Sequence, residues 1–78
     1  MAAHIMHGHV ILDGQRVQVS RLDALEFQEG QECQECGDPA VAHVGVWGRM
    51  PQSRNPVHVG FWLCARHRDA LQRRVPVR

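Results

Sequence analysis

The apolar positions of this chain fall into several short alternating runs and one helical stripe, each bounded by turn-forming residues. His9-Val-Ile-Leu12 and Gln15-Arg-Val-Gln-Val19 flank Asp13-Gly14, a dipeptide that accepts the positive φ angles of a type I′ turn. This pattern predicts a β-hairpin from about residue 9 to 19. Ser20 then stands where it can cap a short helix over Arg21 to Glu26, with Asp23 three residues on as in a capping box and Leu22 and Leu25 facing inward. Ala24-Leu-Glu-Phe27 reads almost as well as a strand. Val41 to Trp47 and Val57 to Leu63 are β-rich, with Val57, Val59, Phe61 and Leu63 alternating against His58, Gly60 and Trp62, and they predict a second hairpin. Its connection, Gly48 to Pro56, carries Pro51, Ser53, Asn55 and Pro56 and is the expected partner-contacting loop. Leu63, His67, Ala70, Leu71 and Val75 keep the i, i+4, i+7, i+8, i+12 spacing of a helix that Pro76 closes, with Asp69 and Arg73 spaced for an exposed ion pair.

The chemistry of the chain sits at the edges of the second hairpin. Cys33-Gln-Glu-Cys36 precedes it, Cys64-Ala-Arg-His67 follows it, and 27 residues separate the two pairs. Each pair has two intervening residues and can clamp one edge of a tetrahedron, so the spacing predicts a closed site for one structural Zn²⁺ held by Cys33, Cys36, Cys64 and His67. Gly37 supplies the positive φ that the turn after Cys36 requires, which lets backbone N–H groups point at the thiolates. Cys64 and His67 fall on the first turn of the predicted helix, whose amides stabilise a site carrying three thiolates. A redox switch at Cys33 and Cys36 is the alternative, but it gives Cys64 and His67 no reason to share their spacing. His43 and His58 are alternative ligands on facing strands, against the simpler reading of exposed strand histidines. His4, His7 and His9 alternate in a stretch expected to be a tail.

Length gives the metal its importance. A chain of 78 residues makes one domain with a small core, and only Phe27, Phe61, Trp47 and Trp62 supply bulk. Structural zinc in small fingers contributes an apparent ~10 to 16 kcal/mol near neutral pH, comparable with the whole stability of a typical domain. We therefore expect a single zinc-binding domain over residues 9–78, made of an N-terminal hairpin and connector (9–32) and a metal-binding part (33–75). Residues 1–8 are expected to be a disordered or tag-like start. Three cysteines cannot pair off, and Met1 to Gly8 lacks the pattern of a secretory signal, so a reducing, cytoplasmic setting is expected. No apolar run approaches the roughly 20 residues that span a bilayer, and neither a membrane association nor a small-molecule substrate is expected.

Charge is uneven although the net value is only +1. Acidic residues dominate from Asp13 to Asp38. From Arg49 onward Arg49, Arg54, Arg66, Arg68, Arg73, Arg74 and Arg78 face Asp69 alone, and all nine basic side chains of the chain are arginine. A nucleic-acid or nucleoprotein partner would meet Arg49, Arg54, Arg66, Arg68, Arg73 and Arg74 at phosphates, with Trp47 or Trp62 stacking. Solvated faces are the plainer reading of the same charges, and a protein-interaction adaptor or regulator is the alternative function.

Knuckle, hairpin, then ligands at a helix N-terminus is the order in which the chain resembles treble-clef zinc fingers, over about residues 33 to 75. Cys33, Cys36, Gly37, Leu63, Cys64 and His67 carry the likeness. It is similar above all to small bacterial treble-clef proteins with a Cys-x-x-Cys-Gly-x-x-Ala start and a Leu-Cys-x-x-His close. The resemblance implies an α+β fold with one zinc, to which the N-terminal hairpin is an addition. It also implies frequent binding to nucleic acid or ribosomal partners, though the same architecture hosts protein-interaction modules and nucleases. The HNH nucleases are a more distant likeness. His43 and Asn55 stand near positions that family uses, but Ala42 replaces its Asp and Arg68 follows His67 where a second metal-binding His is required. Catalysis is therefore not expected.

Overall fold

Two dipeptides with positive φ at both positions, His7-Gly8 (52° and 78°) and Asp13-Gly14 (51° and 77°), fold the N-terminal part of the chain into a meander. The structure, a computed structural model, describes residues 3–52 and 55–75. Strands β1 (Ala3–Met6), β2 (His9–Leu12) and β3 (Gln15–Arg16) form an antiparallel sheet in that order. The Asp13-Gly14 turn stands where the sequence places it. Ala3–Met6 does not follow the expectation of a disordered start: His7-Gly8 reverses the chain, Ile5 lies opposite Val10, and Ile5 is buried.

The chain does not stop at β3. Val17 N–H donates to the Val10 carbonyl at 2.8 Å, and one residue later the same extended segment enters a second antiparallel sheet. That sheet has the order β4 (Gln18–Ala24), β5 (Ala42–Arg49), β6 (Pro56–Leu63). The helix expected over Arg21 to Glu26 is therefore replaced by strand. The capping signal at Ser20 could support a helix of barely two turns, which is marginal alone. Pairing with β5 satisfies the same backbone and lays Leu22 against the core. A register shift between Val19 and Arg21 marks a bulge, beside which the Ser20 hydroxyl donates to the Trp47 carbonyl at 3.1 Å.

The β5–β6 hairpin extends to Arg49 and Pro56, beyond the expected runs, and α1 (Ala65–Gln72) follows with Cys64 as its N-cap. Pro76, expected to close the helical stripe, lies outside the described residues. Asp69 is 3.4 Å from Arg68 Nε, whereas Arg73 Nε donates to the Asp69 carbonyl at 3.3 Å, so the expected Asp69–Arg73 ion pair is not what the structure shows. Val44, Val46, Phe61 and Leu63 on the inner face of the hairpin join Leu71 of α1 and Ile5, Val10, Leu12 and Val17 in one buried cluster. Among the described residues the protein is thus an α+β chain of six strands in two antiparallel sheets and one C-terminal helix. No described helix is long and apolar enough to cross a membrane.

Of the four large aromatics, only Phe61 enters this core. The outer face of the hairpin takes the others. His43 stacks on Trp62 (centroids 3.9 Å, 9° between planes) and His58 on Trp47 (4.0 Å, 12°), each pair directly opposite across the strands. Phe27 packs tilted on Trp62, and Arg21 lies over Trp47. Gly45 and Gly60 face each other between the two stacks. A Cβ on Gly45 would lie 2.9 Å from His58 Nε2, and one on Gly60 would lie 3.1 Å from His43 Nε2 and from Leu25 Cδ1. The glycines thus make room for the rings, and each cross-strand aromatic pair adds about 1 kcal/mol to the hairpin. The sequence carries a signal for this arrangement that periodicity misses: His43-Val-Gly-Val-Trp47 and His58-Val-Gly-Phe-Trp62 are near repeats that antiparallel pairing turns into a two-fold pattern.

The corner where the chain changes sheets depends on Gly48, because a Cβ there would lie 2.5 Å from the Gln18 carbonyl oxygen and 2.7 Å from Val17 Cγ1. Gly48→Ala must push β4 away from β5 and is expected to cost about 1–3 kcal/mol, the usual range for forced overpacking. Urea denaturation of zinc-loaded protein measures this. An unchanged midpoint contradicts the close approach.

Candidate metal centre

The two ligand pairs arrive from separate segments, and backbone hydrogen bonds bring them together. After Cys33 the chain turns tightly: Gly37 N–H donates to the Cys33 carbonyl at 2.8 Å, Cys33 N–H donates to Asp38 at 2.6 Å, and Gly37 takes the φ of 83° expected of it. Gln34, an intervening residue of the first pair, anchors this turn to the end of β6. Its N–H donates to the Trp62 carbonyl, and its Oε1 accepts from Trp62 N–H, both at 2.8 Å. Because Trp62 is two residues from Cys64, this reciprocal pair sets the first two cysteines against the third. Sequence spacing assigns Gln34 no role, since only the structure shows which strand end it meets.

Cys33, Cys36, Cys64 and His67 cluster with their donor atoms all within 4.8 Å of one another, close enough to hold a metal ion. Cys64 is the N-cap of α1, without a side-chain capping hydrogen bond, and His67 lies on the first turn, so both donors stand at the helix end whose dipole favours negative charge. A tetrahedral Zn²⁺ with bonds of ~2.3 Å to sulfur and ~2.05 Å to nitrogen requires S···S edges of about 3.8 Å and S···N edges of about 3.6 Å. Cys36 Sγ and Cys64 Sγ are 3.8 Å apart, and His67 Nδ1 lies 3.5 Å from Cys33 Sγ and 3.2 Å from Cys64 Sγ. These three separations are compatible with one metal ion such as zinc, and Nδ1 is the His67 nitrogen that faces the sulfurs.

Electrostatics point the same way. Burial pushes the Cys33 thiol up, but the N–H groups of Cys64, Cys36 and Glu35 outweigh it and bring the group down to about 6. The Asp38 N–H favours the Cys36 thiolate, yet desolvation and the sulfurs of Cys33 and Cys64 prevail and push that thiol up to about 11. Sulfurs this close cannot all ionise unless a cation lies between them.

The other face of His67 belongs to Glu35. His67 Nε2 is 3.8 Å from Glu35 Oε2, a buried oxygen without a hydrogen-bond partner among the described residues, while Glu35 Oε1 accepts from the His7 backbone N–H. A carboxylate behind a ligating imidazole is in position to orient the ring toward its metal. Glu35, like Gln34, occupies an intervening position that sequence spacing leaves unassigned.

The remaining candidates are dispersed. His43 and His58 are stacked on tryptophans on the outer face, and His43 Nδ1 lies 2.8 Å from the Glu26 carbonyl oxygen. Trp47 and Trp62 have ring neighbours on the hairpin surface, and Trp47 Nε1 donates to Asp23. Arg49 lines a groove with Ser20, Arg21 and Trp47, Arg66 is exposed on the first turn of α1, and Arg68 sits beside Asp69. Arg73 and Arg74 lie just past the end of α1, and Arg54 is outside the described residues. His4 is on β1, His7 in the turn and His9 on β2, not in a tail. Compared with protein-family models, curated proteins and solved structures, the chain matches none.

Two outcomes check the centre. Glu35→Ala should weaken zinc about 10- to 100-fold, the usual effect of losing a carboxylate behind a ligating histidine, measured by competition with a chromophoric chelator; unaltered affinity removes Glu35 from the site. Zinc affinity should also fall with acidification. In metal-free protein Cys36 holds its proton below about 11, so binding releases at least one proton and affinity drops at least tenfold per pH unit between 8 and 6. The drop steepens below about 6, where Cys33 too must lose a proton. A flat profile contradicts thiolate ligation.

Proposed function

We propose that this protein is a small non-catalytic module of treble-clef type, closed by one structural Zn²⁺, that binds nucleic acid or a nucleoprotein. The observation carrying the proposal is that three sulfurs and one imidazole nitrogen lie within 4.8 Å of one another, close enough to hold one metal ion. Four protein ligands complete the coordination sphere, as in structural zinc sites, whereas hydrolytic zinc keeps a position open. The order of tight turn, hairpin and helix N-terminus supports the treble-clef reading. The hairpin register supports the absence of nuclease chemistry. His43 lies opposite Trp62 while Asn55 precedes Pro56, which lies opposite Arg49, so six residues of strand, about 20 Å, separate the two. Excess arginine after residue 49 supports a polyanionic partner, and a site with three thiolates suits a reducing, cytoplasmic compartment.

Removing the metal tests the structural role. Chelation, or Cys36→Ser, should abolish cooperative thermal unfolding and the dispersion of amide resonances, with recovery after zinc is restored to the wild type. Retention of both signals in verified metal-free protein rejects it. The partner class is tested by binding to random-sequence oligonucleotides. Several phosphate contacts make affinity fall steeply with salt, and undetectable binding at low salt eliminates the nucleic-acid reading.

A further inference from the structure

The N-terminal sheet and the end of the helix, at opposite ends of the sequence, enclose a cleft of about 390 Å³. Gly8 and His9 come from the first turn and β2, Arg16 from β3, Val17 from the corner between the sheets, and Arg73 and Arg74 from just beyond α1. Three arginines and a histidine therefore share one concavity, and among the described residues no carboxylate lines it. Among the described residues none of the three arginines has a salt-bridge partner. Two are placed through backbone: Arg73 Nε donates to the Asp69 carbonyl at 3.3 Å, and Arg74 Nε to the His7 carbonyl at 3.2 Å. His9 feels the accumulated charge. Burial first, then Arg16 and Arg74, hold its imidazole below the usual range.

We propose that this cleft is a phosphate-binding site through which the protein holds the backbone of a nucleic acid, an inference that rests on the nucleic-acid reading above. Guanidinium forks match phosphate oxygens bidentately, and fixing Nε on a backbone carbonyl reduces the side-chain freedom lost on binding. The basic lining also continues. Val17 to Val19 border the cleft, and the next residues of β4, Ser20 and Arg21, border a groove with Arg49. A linear polyanion following this edge strand meets arginine at both places. The cleft exists only while the His7-Gly8 turn sits on the helix. A Cβ on Gly8 would lie 3.1 Å from the Ala70 carbonyl oxygen, and Glu35 beside the metal centre holds the His7 N–H. Arg16, in the acidic half of the sequence, thereby joins a site with Arg73 and Arg74.

The test uses full-length, zinc-loaded protein and a fluorescent 15-nucleotide oligothymidine. Arg16→Ala with Arg73→Ala should weaken binding roughly tenfold at low salt and make the slope of log affinity against log salt shallower by about 1.4, as loss of two phosphate contacts on a single strand predicts. Arg66→Ala with Arg68→Ala removes equal charge from helix positions that the sequence also offers to phosphate, but outside the cleft, and should weaken binding and flatten the salt slope less than the cleft pair does. Equal losses from the two pairs overturn the proposal. Zinc content and far-ultraviolet circular dichroism verify the fold. If the double variant does not fold, Arg16→Gln, at an exposed position, should alone flatten the slope by about 0.7; no change overturns the proposal. A second arm titrates ¹⁵N-labelled protein with inorganic pyrophosphate. Shifts centred on Gly8, His9, Arg16 and Val17 without oligonucleotide binding keep the phosphate site while rejecting the nucleic-acid reading. Oligonucleotide binding that the cleft variants leave intact keeps that reading and rejects the cleft. No response to either probe rejects both.

Discussion

Three thiols and an imidazole with donor atoms within 4.8 Å of one another form an arrangement that ionisation alone would push apart. A cation at their centre reverses the sign of that interaction. In small zinc fingers the resulting free energy, ~10 to 16 kcal/mol, matches or exceeds the whole net stability of an ordinary domain. This chain has need of it. Its buried cluster is built mostly from valine and leucine with a single phenylalanine, and much of its aromatic bulk lies on the outside of a hairpin.

The rest of the architecture connects to that centre through few groups. Gln34 ties the first ligand pair to the end of β6, so the sheet positions the donor cluster. Glu35 faces His67 with one oxygen and takes the His7 N–H with the other, while Arg74 holds the His7 carbonyl. The N-terminal turn is thus fastened between the metal centre and the end of the helix. The basic cleft is a product of that fastening.

Much of this was legible in the sequence, and the failures have physical causes. The ligands, Gly37, the Asp13-Gly14 turn, the second hairpin and the helix carrying His67 are local patterns, and each forms where its pattern lies. The capping signal at Ser20 points to helix over Arg21 to Glu26 because it is local, whereas the competing ladder with β5 depends on residues 20 or more positions away. Ala3–Met6 is too short to declare itself without its partner strand. Glu35 and Gln34 look like spacers until folding supplies His67 and Trp62. Arg16, placed in an acidic stretch, joins Arg73 and Arg74 only through docking of the N-terminal sheet.

The proposed function rests on arginines arranged on one scaffold, and on a metal proposed to hold that scaffold together. Zinc K-edge X-ray absorption of protein purified without chelator tests this dependence most directly. The account predicts one zinc per chain, with three sulfurs at ~2.3 Å and one nitrogen at ~2.05 Å. Absence of zinc, or a first shell of nitrogen and oxygen alone, would contradict it.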